Sequence, residues 1–279
     1  MRTPEDTTIL ITGATDGLGR ALAEDLAGRG ATVHLHGRDA RRLGETRAEI
    51  TAATGNDRLP THVADLSSLQ QVRALAAEVE ATTDALHVLI SNAGIGSGAP
   101  DLGSRQVSAD GYELRFAVNY LAGFLLTARL LALLKRSAPA RIVNVASIGQ
   151  APIDFDDVMI EHGYSGSRAY GQSKLAQISS TIELAARLEG SGVTVTSLHP
   201  STYMPTKIVL QQVGHSVDTL ERGVAATVRL AIDPELEGVT GRFYDREREA
   251  RADPQAYDAA ARRRLLELSL KLVGEPPLS

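Results

Sequence analysis

The chain has 279 residues, of which 43% are hydrophobic and 23% are charged, a composition typical of a soluble globular protein. Its net charge of -5 argues against nucleic-acid binding, because neutralising phosphates requires a basic surface. The lack of cysteine excludes disulfides, thiolate metal sites and a cysteine nucleophile, and none of the seven histidines has metal-ligand spacing, so we expect no metal.

The sequence carries no pattern typical of export or membrane insertion. Its first residues, MRTPEDTT, are too polar for a signal peptide, and no run of about 18 or more uncharged apolar residues occurs. We therefore expect a cytoplasmic protein without membrane contact.

Short apolar, β-branched segments alternate along the chain with longer segments that have apolar residues at helical spacing. The predicted strands, in chain order, are TTILIT, ATVHLH, RLPTHVA, LHVLIS, ARIVNVAS, VTVTSLHP and, with a weaker pattern, GRFYD. The predicted helices are GRALAEDLAGRG, DARRLGETRAEITAAT, SLQQVRALAAEVEA, YELRFAVNYLAGFLLTARLLALLKRS and SRAYGQSKLAQISSTIELAARLEGSG. This alternation predicts one α/β domain over residues 1–279, a doubly wound parallel sheet of about seven strands with helices on both faces.

The first predicted strand leads into TGATDGLGRALA, which contains Gly13, Gly17 and Gly19. Glycine permits positive φ and close approach of a ligand, and a helix that starts near Gly17 directs unpaired N–H groups at an anion. From these glycines alone, a phosphate-binding turn and a tight turn without a ligand are equally supported. Small or polar residues also follow the other strands, so we expect a ligand at the carboxyl edge of the sheet.

Tyr170 and Lys174 in YGQSK are four residues apart, so on a helix they lie on one face. Taken alone, the pair is more typical of an exposed helix face. It becomes a candidate site together with Ser147 at a strand end, Asn119 within a predicted helix, and the glycine turn.

These motifs, in this order, resemble the short-chain dehydrogenase/reductase family from about Thr8 to Thr206. TGATDGLG is similar to its T-G-x-x-x-G-x-G cofactor turn, SNAG to its N-A-G stretch, VNVAS to the strand that ends in its serine, and YGQSK to its Y-x-x-x-K. The asparagine of FAVNYLAGFLLT resembles its helix asparagine. The long segment after the serine and the C-terminal region are similar to the retinol-dehydrogenase-like branch. The resemblance implies a single-domain Rossmann-type fold.

The resemblance also implies the roles of the candidate residues. Tyr170 is expected to be the acid/base, with Lys174 stabilising its phenolate. Ser147 is expected to bind the substrate oxygen, and Asn119 to hold Lys174 and a water in place. Cofactor contacts are expected from Gly13, Thr15, Asp16, Gly17, Leu18, Gly19, Arg38, Asp65, Leu66, Asn92, Ala93, Gly94, Tyr170, Lys174, Pro200 and Thr206.

The second strand ends in HLHGRD, where His36 and Gly37 occupy the positions of the acidic side chain usual in NAD-preferring sites. Arg38 follows and would accommodate a 2′-phosphate, so NADP(H) is the predicted cofactor and NAD(H) the alternative. Asp39 is an acidic residue near this strand end and argues for NAD(H), but its position suits the N-cap of the next helix. Asp65 could likewise cap a helix that begins near residue 67, in addition to facing the adenine.

Two residues depart from the family pattern: Ser91 stands where asparagine often precedes N-A-G, and Ser201 stands where glycine usually follows the proline. His199 is interpreted as a packing or loop residue rather than a base. Ser147 lacks the G-x-S-x-G context of an acyl-transfer nucleophile, which argues against hydrolase chemistry.

The predicted function is NADP-dependent hydride transfer between nicotinamide and a carbonyl or alcohol of a small, hydrophobic substrate. Segments 148–169 and 201–218 are predicted to form the substrate pocket. Its apolar lining is expected from Ile153, Phe155, Val158, Met159, Tyr203, Met204, Ile208 and Val209. Two alternatives stay open: a non-redox epimerase, lyase or cyclase on the same fold, and a non-catalytic NADP-binding sensor.

The helix that carries Tyr170 has apolar residues on more than one face. The face turned away from the sheet could pack on a second subunit in a homodimer or homotetramer. It could equally be covered by the C-terminal helix DPQAYDAAARRRLLELSLKLVG in a monomer, and the sequence leaves both open.

Overall fold

One eight-stranded sheet runs through the computed structural model, which describes residues 3–97, 104–202, 204 and 215–278. The strands are β1 (Thr8–Ile11), β2 (Thr32–Gly37), β3 (Thr61–Val63), β4 (Val88–Ser91), β5 (Ala140–Val145), β6 (Val193–His199), β7 (Arg242–Asp245) and β8 (Arg248–Ala250). Their spatial order is β3-β2-β1-β4-β5-β6-β7-β8, and β1 to β7 are parallel. This order reverses direction next to β1, so the predicted doubly wound α/β fold is confirmed.

Helices cover both faces of the sheet. They are α1 (Gly17–Gly28), α2 (Ala40–Thr54), α3 (Leu69–Thr82), α4 (Ala122–Arg136), α5 (Gly166–Arg187), α6 (Leu220–Ile232) and α7 (Ala259–Val273). A π-helical segment, Phe116–Leu121, leads directly into α4. One hydrophobic cluster packs under α1, α2 and α6, and a second packs under α3, α4, α5 and α7. The two clusters account for the nearly continuous apolar sequence of the central strands.

The seven predicted strands coincide with β1 to β7, whereas β8 has no counterpart among them. Its residues, REA, are two exposed charged residues and one alanine, so the sequence shows no apolar alternation there. The strand is defined only by antiparallel pairing with β7 across a turn in which Arg246 adopts φ +58°.

The C-terminal helix α7 packs on α5 and covers the face that the sequence left unassigned. The hydroxyl groups of Tyr120 and Ser269 lie 2.7 Å apart beneath α7, and the Arg262 guanidinium lies 3.5 Å from the Glu183 carboxylate of α5. Residues 171–181 of α5 are buried throughout, including their polar side chains. The fold of one chain therefore covers residues 171–181 of this helix.

Among the described residues, one helical stretch, Phe116–Arg136, is long and apolar enough to cross a membrane. Its most apolar window has a mean hydropathy of 1.7, but 72% of that window is buried inside the fold. Burial of this kind is typical of the core helix of a globular protein.

Candidate active site

The turn after β1 is packed tightly against the loop after β4. Gly13 and Gly17 adopt φ +70° and +49°, the left-handed region that favours glycine. A Cβ atom at Gly19 would collide with the carbonyl oxygen of Gly13. From the other side, the Asn92 side-chain amide donates to the carbonyl oxygens of Thr12 (2.9 Å) and Gly13 (3.3 Å). The predicted residues Asn92, Ala93 and Gly94 thus border the glycine turn.

Helix α1 begins at this turn, and the Asp16 carboxylate caps it by accepting from the backbone N–H of Gly17 at 2.8 Å. No further acidic residue lies in the first turn, and the backbone N–H groups of Leu18 and Gly19 remain at the positive end of the helix dipole. Such a helix end, approached through glycine, fits the pyrophosphate of a dinucleotide.

The end of β2 has no side chain that could bind a ribose hydroxyl through a carboxylate. His36 accepts from the backbone N–H of Gly13 (3.1 Å) through Nδ1, and its Nε2 lies 3.0 Å from the carbonyl oxygen of Ala64. Burial lowers the pKa of His36 to about 4, so the ring is neutral at pH 7. A Cβ atom at Gly37 would lie 2.8 Å from the Thr15 methyl group, which leaves no room for a longer side chain.

Arginines gather at the same place. Asp39 is the N-cap of α2, and its carboxylate accepts from the backbone N–H of Arg42 at 3.0 Å, as the sequence predicted. The Arg42 guanidinium reaches back to the glycine turn, 3.2 Å from Asp16 and 3.4 Å from the carbonyl oxygen of Thr15. Arg38 is exposed. Arg42 was not among the predicted cofactor contacts, although it lies in the arginine-rich segment GRDARR.

Asp65 and Leu66 follow β3 at the carboxyl edge. The Asp65 carboxylate accepts from the backbone N–H of Ser67 at 2.9 Å. The N-cap of α3 is Ser68, so the interpretation of Asp65 as the cap is wrong. The helix starts two residues later than expected, because the Ser68 hydroxyl accepts from the backbone N–H of Gln71.

Ser147, Tyr170 and Lys174 meet at the carboxyl end of β5. Ser147 Oγ and the Tyr170 ring would lie 3.4 and 3.7 Å from a Cβ atom at Gly149. Burial of the phenol raises the pKa of Tyr170, and the neighbouring Ser147 hydroxyl opposes this rise. The Lys174 Nζ atom lies 5.6 Å from the centre of the Tyr170 ring. This Nζ atom donates to the Val145 carbonyl oxygen and to Gln177 Oε1, each at 2.9 Å. Burial lowers the pKa of Lys174 to about 7.

Asn119 lies in the π-helical segment, a feature that often occurs at functional sites. Its Oδ1 accepts from the backbone N–H of Ile95 at 2.7 Å, and its Nδ2 donates to the Ile95 carbonyl oxygen and the Ser173 hydroxyl. These bonds hold the loop after β4, where a Cβ atom at Gly94 would lie 3.7 Å from Lys174 Nζ. Asn119 therefore fixes the loop that lies beside Lys174 Nζ, and its predicted role of holding Lys174 and a water in place stays a prediction.

After β6, the Ser201 hydroxyl donates to the Asp218 carboxylate at 2.5 Å, so the serine that replaces the family's glycine has a structural partner. Pro200 is buried beside it. Burial lowers the pKa of His199 to about 4, in keeping with a neutral packing residue. Thr206 lies outside the described residues.

The predicted substrate lining is buried or half-buried at each of its described residues. Ile153 and Val158 are buried in the core, 4% and 8% exposed, and Phe155 and Met159 pack against it. The other four predicted lining residues are Met204, which is 8% exposed, and Tyr203, Ile208 and Val209, which lie outside the described residues. Two apolar residues that were not predicted, Ile148 next to Ser147 and Val217 next to Asp218, are 52% and 66% exposed.

The family model for short chain dehydrogenases matches residues 7–213. The chain belongs to the short-chain dehydrogenase family. It is similar to human retinol dehydrogenase 14, with 39% identity over 96% of this chain and 86% of that protein, which confirms the resemblance to the retinol-dehydrogenase-like branch.

Solved structures agree with this assignment. An uncharacterised protein from Mycobacterium paratuberculosis shares 29% identity and superimposes with a TM-score of 0.78 over 99% of both chains. RhlG of Pseudomonas aeruginosa, solved as a complex with NADP, shares 26% identity with a TM-score of 0.70 over 88% of this chain and 97% of that chain. This short-chain dehydrogenase is therefore an oxidoreductase that uses a nicotinamide cofactor.

Proposed function

We propose that this short-chain dehydrogenase transfers a hydride between NADP(H) and a carbonyl or alcohol carbon of a small, hydrophobic substrate, with Tyr170 as the acid/base. The observation that carries the proposal is that Ser147 and Tyr170 both lie beside Gly149, with the buried Lys174 amine 5.6 Å from the centre of the Tyr170 ring. These groups lie at the same edge of the sheet as the glycine turn, where a dinucleotide fits.

A bound nicotinamide supplies or accepts the hydride. Tyr170 Oη donates its proton to the substrate oxygen in reduction and takes a proton from the alcohol in oxidation. Ionising a tyrosine with a pKa near 10 costs about 1.4 kcal/mol per pH unit, or roughly 4 kcal/mol at pH 7. The ammonium form of Lys174 offsets part of this cost, and the Ser147 hydroxyl donates to the substrate oxygen as negative charge develops.

The preference for NADP(H) over NAD(H) rests on the charge at the end of β2. Neither His36 nor Gly37 offers a carboxylate, and Asp39 is engaged as the cap of α2. Two guanidinium groups lie at this edge, that of the exposed Arg38 and that of Arg42 in its ion pair with Asp16, and guanidinium favours a 2′-phosphate.

Replacing Arg42 with alanine should raise the KM for NADPH by about tenfold or more and change the KM for NADH by less than about threefold. The physical reason is that only NADPH carries the additional phosphate. Arg41→Ala is the matched control, because Arg41 is 74% exposed and pairs with Glu45 on the outer side of α2. If the KM values for NADPH and NADH rise by the same factor, Arg42 instead supports the glycine turn through its contact with Asp16.

The hydrophobic substrate class is supported by Ile148, whose side chain is 52% exposed and which follows Ser147 in the sequence. Exposed apolar side chains beside reacting groups favour an apolar ligand over a charged one. Each buried methylene contributes about 0.8 kcal/mol, so a longer alkyl chain should bind more tightly.

The proposed function is tested by following NADPH oxidation with aldehydes of increasing chain length, ketones and quinones. We expect turnover whose kcat/KM rises by about tenfold or more from a four-carbon to an eight-carbon aldehyde. Ile148→Ser should flatten this rise, whereas Val107→Ser, at a residue 51% exposed on the bridge between residues 107 and 113, should leave it unchanged. NADPH binding without turnover of any substrate would favour the sensor or non-redox alternatives.

Oligomerisation and cytoplasmic location stay predictions. Because α7 covers α5 within one chain, we propose that a homodimer or homotetramer would associate through another surface. Sedimentation velocity at micromolar concentration distinguishes these assemblies from a monomer.

A further inference from the structure

Lys174 has polar partners on the side that faces the protein interior. Its Nζ atom donates to the carbonyl oxygen of Val145 in β5 and to Oε1 of Gln177, one helical turn further along α5, each at 2.9 Å. Gln177 is only 4% exposed. An ammonium group has three N–H donors, so these two acceptors engage two of them and leave one for the active site.

Gln177 also lines a small internal cavity between the π-helical segment, α4 and α5. The cavity offers about 10 Å³ to the centre of a water molecule, about enough for one. Its polar lining comes from Asn119, Thr127, Asn144, Gln177 and Ser180. A buried amide in such polar surroundings can keep its oxygen directed at Lys174 without leaving its other polar atoms unsatisfied.

We propose that Gln177 is a positioning residue that fixes the Lys174 amine and keeps it protonated. The proposal rests on the proposed function, in which a charged Lys174 stabilises the Tyr170 phenolate. Hydrogen bonds to the charged form of a buried amine oppose its deprotonation, and Gln177 supplies one of the two such acceptors that the structure shows. Without it, a neutral Lys174 would no longer assist Tyr170.

The titratable side chains that face Lys174 carry no charge at pH 7. The titratable groups that face it are Tyr170 on its own helix and His199 at the end of β6. His199 is neutral at pH 7, because burial lowers its pKa to about 4, and Val145 and Asn119 on the neighbouring elements do not titrate. Burial lowers the pKa of Lys174 to about 7. At neutral pH, the loss of one hydrogen bond to the ammonium therefore changes the charged fraction of this side chain.

The test is an NMR pH titration of the full chain in which lysine is ¹³C-labelled at Cε. It is carried out with and without NADP⁺. The signal of Lys174 is the one that is absent from the spectrum of Lys174→Arg. Losing an acceptor destabilises the ammonium, so Gln177→Leu should lower the pKa of Lys174 by about one unit. Gln177→Met, which keeps the chain length but lacks the amide oxygen, should do the same. The matched control is Thr127→Val, which alters the same cavity and should shift this pKa by less than about 0.3 units.

A pKa of Lys174 that is the same in both Gln177 variants as in the unmodified protein overturns the proposal. A second readout separates it from the proposed function. The apparent pKa of kcat for alcohol oxidation should rise by about one unit in Gln177→Leu, as Tyr170 loses its charged neighbour. If the pKa of Lys174 falls but the apparent pKa of kcat stays the same, the role of Gln177 is confirmed. The proposed role of Lys174 in the reaction is then wrong.

Discussion

Tyr170→Phe should lower kcat by about 10²–10⁴-fold, the contribution usual for a general acid/base, while changing the Kd for NADPH by less than about threefold. The substitution removes the only group proposed to exchange a proton with the substrate. The ring remains, so its contact with Lys174, 5.6 Å from Nζ to the ring centre, is preserved. Steady-state turnover and fluorescence titration with NADPH measure the two effects separately.

Tyr120→Phe is the matched control for this variant. It deletes a buried hydroxyl as well, but one that is hydrogen-bonded to Ser269 beneath α7. We expect a loss of about 1 kcal/mol in the free energy of unfolding and a change in kcat of less than about twofold. Retention of more than about a tenth of kcat by Tyr170→Phe would remove Tyr170 from the acid/base role.

Gly19→Ala should weaken NADPH binding by about 100-fold and lower the free energy of unfolding by about 1–3 kcal/mol. The added Cβ would collide with the Gly13 carbonyl oxygen and lie 2.5 Å from the Asn92 amide nitrogen. The turn must therefore move away from the loop after β4, and the N–H groups that face the pyrophosphate move with it. Fluorescence titration with NADPH and denaturant unfolding measure the two losses.

Gly44→Ala separates this effect from the general consequences of replacing a glycine. Gly44 lies inside α2, and a Cβ atom there would meet nothing within 4 Å. Alanine should raise the free energy of unfolding by about 0.5–1 kcal/mol and leave the Kd for NADPH unchanged. NADPH binding by Gly19→Ala within about threefold of the unmodified protein would contradict the assignment of the turn to the cofactor.

Features that depend on residues close together in the chain could be predicted. The strands β1 to β7 follow from apolar, β-branched segments, and the cap at Asp39 follows from its place before a helical pattern. The four-residue spacing of Tyr170 and Lys174 places both on one face of α5. Gln177 was within reach of the same reasoning, since it lies three residues beyond Lys174, but glutamine carries no charge that would have drawn notice.

Features that depend on how distant segments pack were decided only by the tertiary structure. Ser147 and Tyr170 meet because β5 ends and α5 begins at one edge of the sheet, and Arg42 reaches Asp16 across 26 positions of the chain. The packing of α7 on α5 depends on which surfaces the rest of the chain leaves uncovered, and so does the pairing of β8 with β7. Local sequence thus determined the elements and the residue types of the site, because helix and strand periodicity act over a few residues. The fold determined the partners of each side chain, because burial and hydrogen bonding are satisfied over the whole molecule.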